Sequence, residues 1–186
     1  MKKLFLSLLI TVGIISAGTP GAVENFSLND YNGKTISLTD FKDSKAIVLM
    51  FISTQCPVSN AYNERMASLY NDYSTKNIAI IGINSNKAET PEDIKEHAQE
   101  QKFGFPILKD VNNIIADRLQ ANHTPEIYIV HPTTLAILYH GRIDDSQREA
   151  KVQSKDMRTA LDEIIAGKSV TNKETKAFGC SIKRVN

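Results

Sequence analysis

AIVLMFISTQCPVSN, Ala46 to Asn60, is an unbroken apolar run that ends on a cysteine followed at once by proline. Seven consecutive apolar residues, Ala46 to Ile52, predict a strand buried on both faces, the pattern of a central parallel strand. Pro57 suits the first position of a helix, where its missing N–H costs nothing, and Cys56 then becomes the N-cap. A sulfur in that place lies against unpaired backbone N–H groups and the positive end of the helix dipole, and both favour thiolate over thiol. A buried structural cysteine is the alternative, because free Cys is among the most buried residue types. Strand end, helix start and adjacent proline together weigh for a nucleophile.

Outward from this stretch, the 186 residues, 41% hydrophobic and 23% charged, suit one globular domain. Met1 to Ala17 has a basic start, Lys2 and Lys3, an apolar run from Leu4 to Ile15, and then small residues, which reads as a secretory signal peptide over 1–17. The run is shorter than the roughly 20 residues a membrane-crossing helix needs. Cleavage after Ala17 or Gly18 gives a mature chain that is periplasmic or secreted, with no membrane span, and an uncleaved N-terminal anchor is the alternative reading. Without Lys2 and Lys3 it carries 20 basic against 21 acidic residues, which gives no support to a nucleic-acid partner. Only Cys56 and Cys180 occur, so in an oxidising compartment they could form one intramolecular bond. As a structural bridge it would close a very long loop, worth on the order of 4–5 kcal/mol.

Phe26 to Asp30 and Lys34 to Leu38 alternate around Tyr31-Asn32-Gly33 and predict a β-hairpin. Beyond the cysteine, Val58, Tyr62, Met66, Leu69 and Tyr73 recur at helical spacing and predict one continuous helix packed on the sheet. Ile78 to Ile83 reads as a second apolar strand, and Thr90-Pro91-Glu92-Asp93 as the capped start of a helix to about Phe103. Pro106 to Leu108 is a short strand and Asn112 to Leu119 a short helix by the same reading. Ile127 to Val130 and Leu135 to Tyr139 then predict an antiparallel pair, and Ser154 opens a helix that Gly167 stops. Residues 169–186 remain as a polar tail carrying Cys180.

Hairpin, β, α, β, α, β-hairpin and α, with a cysteine at the first β-to-α junction, resembles the thioredoxin fold: a central mixed sheet flanked by helices, over 25–168. FSLNDYNGKTISLTDFKDSKAIVLMFISTQC is similar to the opening of the redoxin branch, which holds the alkyl hydroperoxide reductase and thiol-specific antioxidant proteins and the periplasmic thioredoxin-like reductases. The resemblance implies that Cys56 is the attacking cysteine of the family's CxxC motif. Ser59 stands in place of the second cysteine, so resolution of a mixed disulfide falls to Cys180 or a partner thiol. Thr124-Pro125 resembles the family's cis-proline loop, facing the cysteine. Ser53, Thr54 and Pro57 would shape the site. Peroxiredoxins place a hydroxyl where Ser53 is and a proline where Leu49 is, and carry an arginine ahead of the strand after Pro125. Here Asn122, His123 and Thr124 stand at that place, with Arg142 as a substitute from the next strand.

Of the four histidines, His97 is expected on a helix surface, His131 and His140 flank the hairpin, and His123 alone has a claim on the site. Copper-delivering proteins of this fold use CxxxC, and Asn60 occupies the place of their second cysteine, so no metal or cofactor is expected. The leading reading is an exported thiol–disulfide oxidoreductase acting on a thiol or disulfide protein partner through Cys56, with Cys180 as the candidate resolving thiol. A thiol peroxidase acting on hydroperoxides is the second reading. A non-catalytic module stapled by Cys56–Cys180 is the third. No oligomeric state follows from the sequence.

Overall fold

Strand β3 (Ala46–Phe51) is the middle of a five-stranded sheet in a computed structural model that describes residues 21–185. The leader expected at 1–17 lies outside the described residues. β3 runs parallel to β4 (Ile78–Asn84) and antiparallel to β7 (Glu126–Val130). β5 (Ile107–Lys109) and β8 (Ile137–Gly141) complete the order β5-β4-β3-β7-β8. All six residues of β3 are fully buried. Because successive side chains point to opposite faces, Val48 and Met50 join one cluster while Ile47, Leu49 and Phe51 join the other. This two-faced burial is why the strand reads as an unbroken apolar run.

The first cluster is covered by α2 (Asn63–Ser74), α3 (Pro91–Glu100) and α5 (Asp156–Ile165) through Met66, Leu69, Ile94, Met157 and Leu161. The second is covered by α4 (Ile114–Leu119) and by the hairpin of β1 (Ser27–Asn29) and β2 (Thr35–Ser37) with its flanking Phe26 and Leu38. The architecture is thioredoxin-like, with an N-terminal antiparallel hairpin. Among the described residues no helix is long and apolar enough to cross a membrane.

Three local expectations change. The single helix after Cys56 is two: α1 (Pro57–Asn60) ends at Ala61, and Tyr62, at φ −102° and ψ −2°, steps out before α2 begins. The apolar period survives this step, since Tyr62, Met66, Leu69 and Tyr73 are all buried, so periodicity alone does not reveal it. His97 is buried rather than on the surface, edge-on to Phe103, and burial holds its pKa below the ordinary histidine value. The segment after α5 is packed rather than a loose polar tail. Gly167, at φ +71°, ends α5, and the chain then runs along β8, where His140 N–H donates to Lys173 O and Thr175 N–H to His140 O. Val170, Ala177 and Ile182 are buried along the way.

Candidate active site

The end of β3 and the start of α1 meet the loop before β7 at Cys56. The cysteine caps α1: its own backbone is extended, Pro57 takes the first helical position, and Ser59 N–H points at Cys56 Sγ from 3.3 Å. Since α1 is four residues long and breaks at once, the local N–H group, rather than a long helix dipole, is what the sulfur meets.

Opposite lies β6 (His123–Thr124), followed by a cis Thr124-Pro125 bond. Thr124 O stands 3.4 Å from Cys56 Sγ, where it would accept the proton of a reduced thiol. Cys180 is bonded to Cys56, with their Cα atoms 6.0 Å apart, and among the described residues neither cysteine is free. β9 (Cys180–Ser181) pairs antiparallel with β6, Thr124 against Cys180 and His123 against Ser181. Gly179 permits that approach, because a Cβ there would collide with the Thr124 carbonyl. The bonded pair borders a cleft of about 260 Å³ that also takes in Ser53, Gln55, Pro57, Asn86, Glu89, Thr124 and Lys183. A larger cleft of about 710 Å³, between α2 and the segment that leads from β8 into α5, holds neither cysteine.

A buried carboxylate organises the loop ahead of Cys56. Glu89 Oε1 accepts from Ser53 Oγ at 2.5 Å, and Oε2 accepts from Thr54 N–H and Asn84 Nδ2, both at 2.6 Å. Ser53 Oγ in turn accepts Cys56 N–H at 3.0 Å, and Ser59 Oγ accepts Ser53 N–H at 3.2 Å. Ser59, in the place of a second cysteine, therefore knits the turn and contributes its N–H to the sulfur. Thr54 touches the network through its backbone.

Ser53, Cys56, Pro57, Thr124 and Cys180 thus gather at one cleft, with Thr54, Ser59 and Pro125 immediately around it. Arg142 is held elsewhere, its Nε donating to Asp156 Oδ2 at 2.7 Å, and it does not border the cleft. His123 turns toward Glu126, with Nδ1 3.7 Å from Oε2, and does not border the cleft either. Glu89 escapes a reading of the sequence because its partners Ser53 and Thr54 lie 36 and 35 positions away. The polar run ending β4 is the only local trace of it.

Comparison with known proteins fits this geometry. The sequence profile of the AhpC/TSA family matches residues 21–146. Thiol-disulfide oxidoreductase ResA of Bacillus subtilis is 27% identical over 110 residues, 58% of this chain and 59% of that protein. Peroxiredoxin Q of Oryza sativa subsp. japonica is 27% identical over 104 residues, 56% of this chain and 46% of that one. The chain thus spans about half the length of the curated relatives it matches. A hypothetical protein of Sinorhizobium meliloti superposes with a TM-score of 0.83 at 31% identity, covering 91% of this chain and 96% of that one.

Proposed function

The chain belongs to the AhpC/TSA family, and on that premise we propose that it is an exported thiol–disulfide oxidoreductase that cycles through the Cys56–Cys180 bond. In the reduced protein the Cys56 thiolate attacks one sulfur of a disulfide partner. A mixed disulfide forms and one partner thiolate leaves. The Cys180 thiolate then attacks Cys56 Sγ, forms the internal bond and releases the second partner thiol. Two electrons pass from the pair of thiols to the partner disulfide, and an external dithiol restores them. That donor attacks Cys180, the less buried residue of the pair, while Cys56 leaves as the thiolate that Ser59 N–H favours.

The observation that carries this reading is the second thiol itself: the segment after α5 delivers Cys180 to Cys56, whose neighbour Ser59 stands in place of the second cysteine of CxxC. An internal disulfide and the basic-then-apolar start of the sequence both support export. Likeness to peroxiredoxin Q supports a peroxidase. The cleft itself favours a disulfide partner, because the Ser53 hydroxyl is committed to Glu89 and no arginine is among the described residues bordering it. The test is turnover of the mature protein with a protein disulfide and with hydrogen peroxide, alongside Cys56→Ser and Cys180→Ser. Disulfide reduction lost in both variants is expected. Peroxide turnover exceeding disulfide turnover would replace this reading with the peroxidase one, and no turnover of either would leave the staple.

A further inference from the structure

Lys109, the last residue of β5, is a half-buried ammonium with no direct carboxylate partner among the described residues. Its Nζ donates to Asn84 Oδ1 at 3.2 Å and to Asn86 O at 2.6 Å. Asn84 is fully buried at the end of β4, and its Nδ2 donates to Glu89 Oε2 at 2.6 Å. An ammonium only donates, so its presence fixes the Asn84 amide with oxygen toward Lys109 and NH₂ toward Glu89. The opposite orientation would press the amide oxygen against a carboxylate oxygen. Glu89 then holds Ser53, and Ser53 accepts Cys56 N–H.

We propose that Lys109 is a positioning residue for Cys56: through Asn84 and Glu89 it fixes the start of α1, and its charge offsets the Glu89 carboxylate so that Cys56 can ionise. This rests on Cys56 being the reactive thiol. A buried carboxylate one hydroxyl away from the Cys56 backbone opposes a thiolate there, and a cation behind it removes much of that opposition. The charged groups facing Lys109 are Glu89, Asp110 and Asp93. Burial holds its own pKa below the ordinary lysine value, and these three acids, Glu89 foremost, offset only part of that. Asp110 is occupied by Ser85 Oγ and by the N–H groups of Ile115 and Ala116, and Asp93 accepts from Thr90, the N-cap of α3. Glu89 is the acid that connects to the cysteine.

The test uses the full chain with Cys180→Ser, in which Cys56 is the single thiol, and follows thiolate ultraviolet absorbance against pH, with Cys56→Ser/Cys180→Ser as blank. Lys109→Met should raise the Cys56 midpoint by about half a unit to one unit, and Lys109→Arg should restore it. In a Glu89→Gln background the same lysine substitution should move the midpoint little, which a purely structural role would not produce. An unchanged midpoint in folded Lys109→Met overturns the proposal. Should that variant not fold, Lys109→Gln, which keeps a donor and loses the charge, decides the same question in the same way. Turnover is not the readout, so failure here is separate from failure of the oxidoreductase reading, which would show as absent activity in the wild type.

Discussion

Ser53 is where the strand, the buried acid and the cysteine are joined. Its hydroxyl donates to Glu89 Oε1 and accepts the N–H groups of Cys56 and Gln55. Ser53→Ala would leave buried Glu89 without one donor and buried Cys56 N–H without its acceptor. A loss of about 1–3 kcal/mol in urea unfolding of the oxidised protein is expected. In the reduced wild type, Cys56 should be alkylated before Cys180 at mildly acidic pH, because Ser59 N–H stands 3.3 Å from its sulfur. Peptide masses after brief alkylation check this, and faster labelling of Cys180 would remove Cys56 from the attacking role. Cys56 and Pro57 are legible in the sequence because strand end, helix start and proline sit side by side, and the Thr124-Pro125 pair through its resemblance to the cis-proline loop of the thioredoxin fold. Glu89, Asn84 and Lys109 are not, because each owes its place to residues brought together by the β3–β4–β5 order.

At the scale of elements, two short strands decide how the site is covered. β6 takes β9 along its edge, and Gly179 is the close approach that allows it. Gly179→Ala must lift β9, because the added Cβ meets backbone rather than a movable side chain. The variant should lose about 1–3 kcal/mol of stability, and its Cys56–Cys180 bond should be reduced at a lower dithiol concentration than the wild type's. An unchanged titration would show that β9 contributes nothing to the bond. Behind β6, Glu126 accepts the N–H groups of Asn122 and His123, a hydrogen bond from Tyr128 OH, and His140 Nε2 at 2.7 Å. Burial pushes its pKa up, but His140 and the two backbone N–H groups outweigh that and hold it below the usual glutamate range. A depressed carboxyl contributes stability above its unfolded pKa and loses it as pH falls through the folded one. Glu126→Gln should therefore cost about 1–3 kcal/mol near neutral pH and flatten the acid limb of an unfolding-versus-pH curve. A wild-type acid limb retained in the variant would assign that limb to other groups. Strands and helices of this kind are legible where period and caps coincide, as at β3, β4 and α3. β9 is not, since Cys180-Ser181 becomes a strand only because β6 is beside it.

For the whole molecule, the central question is whether Cys56–Cys180 is a working bond or a staple. The strands are legible as apolar runs and their arrangement through the resemblance to the thioredoxin fold, but the path of residues 168–185 is not, because its anchors are single residues spread over polar sequence. Val170 is buried on the α5 side, Tyr139 OH and Thr175 Oγ1 lie 2.7 Å apart beside β8, and Ile182 is buried past the bond. Arg184 Nε then donates to Asp117 Oδ1 at 2.7 Å. These anchors hold the segment on both sides of Cys180 without the bond, so reduction should leave the native fold in place. The bond joins residues 124 positions apart, and in the chain-entropy model its loss costs on the order of 4–5 kcal/mol, through the unfolded state. Reduced protein should accordingly keep its near-ultraviolet circular dichroism while its urea midpoint falls. A working bond must also be within reach of a cellular dithiol, whereas structural bridges of secreted proteins lie below about −300 mV. Equilibration with a thiol buffer, read by mass, should place this bond above that value. If reduction unfolds the chain, or the potential lies well below −300 mV, the bond is a staple and the catalytic cycle through Cys180 is lost. If the potential is high yet Cys180→Ser turns over at the wild-type rate, the resolving thiol belongs to a partner.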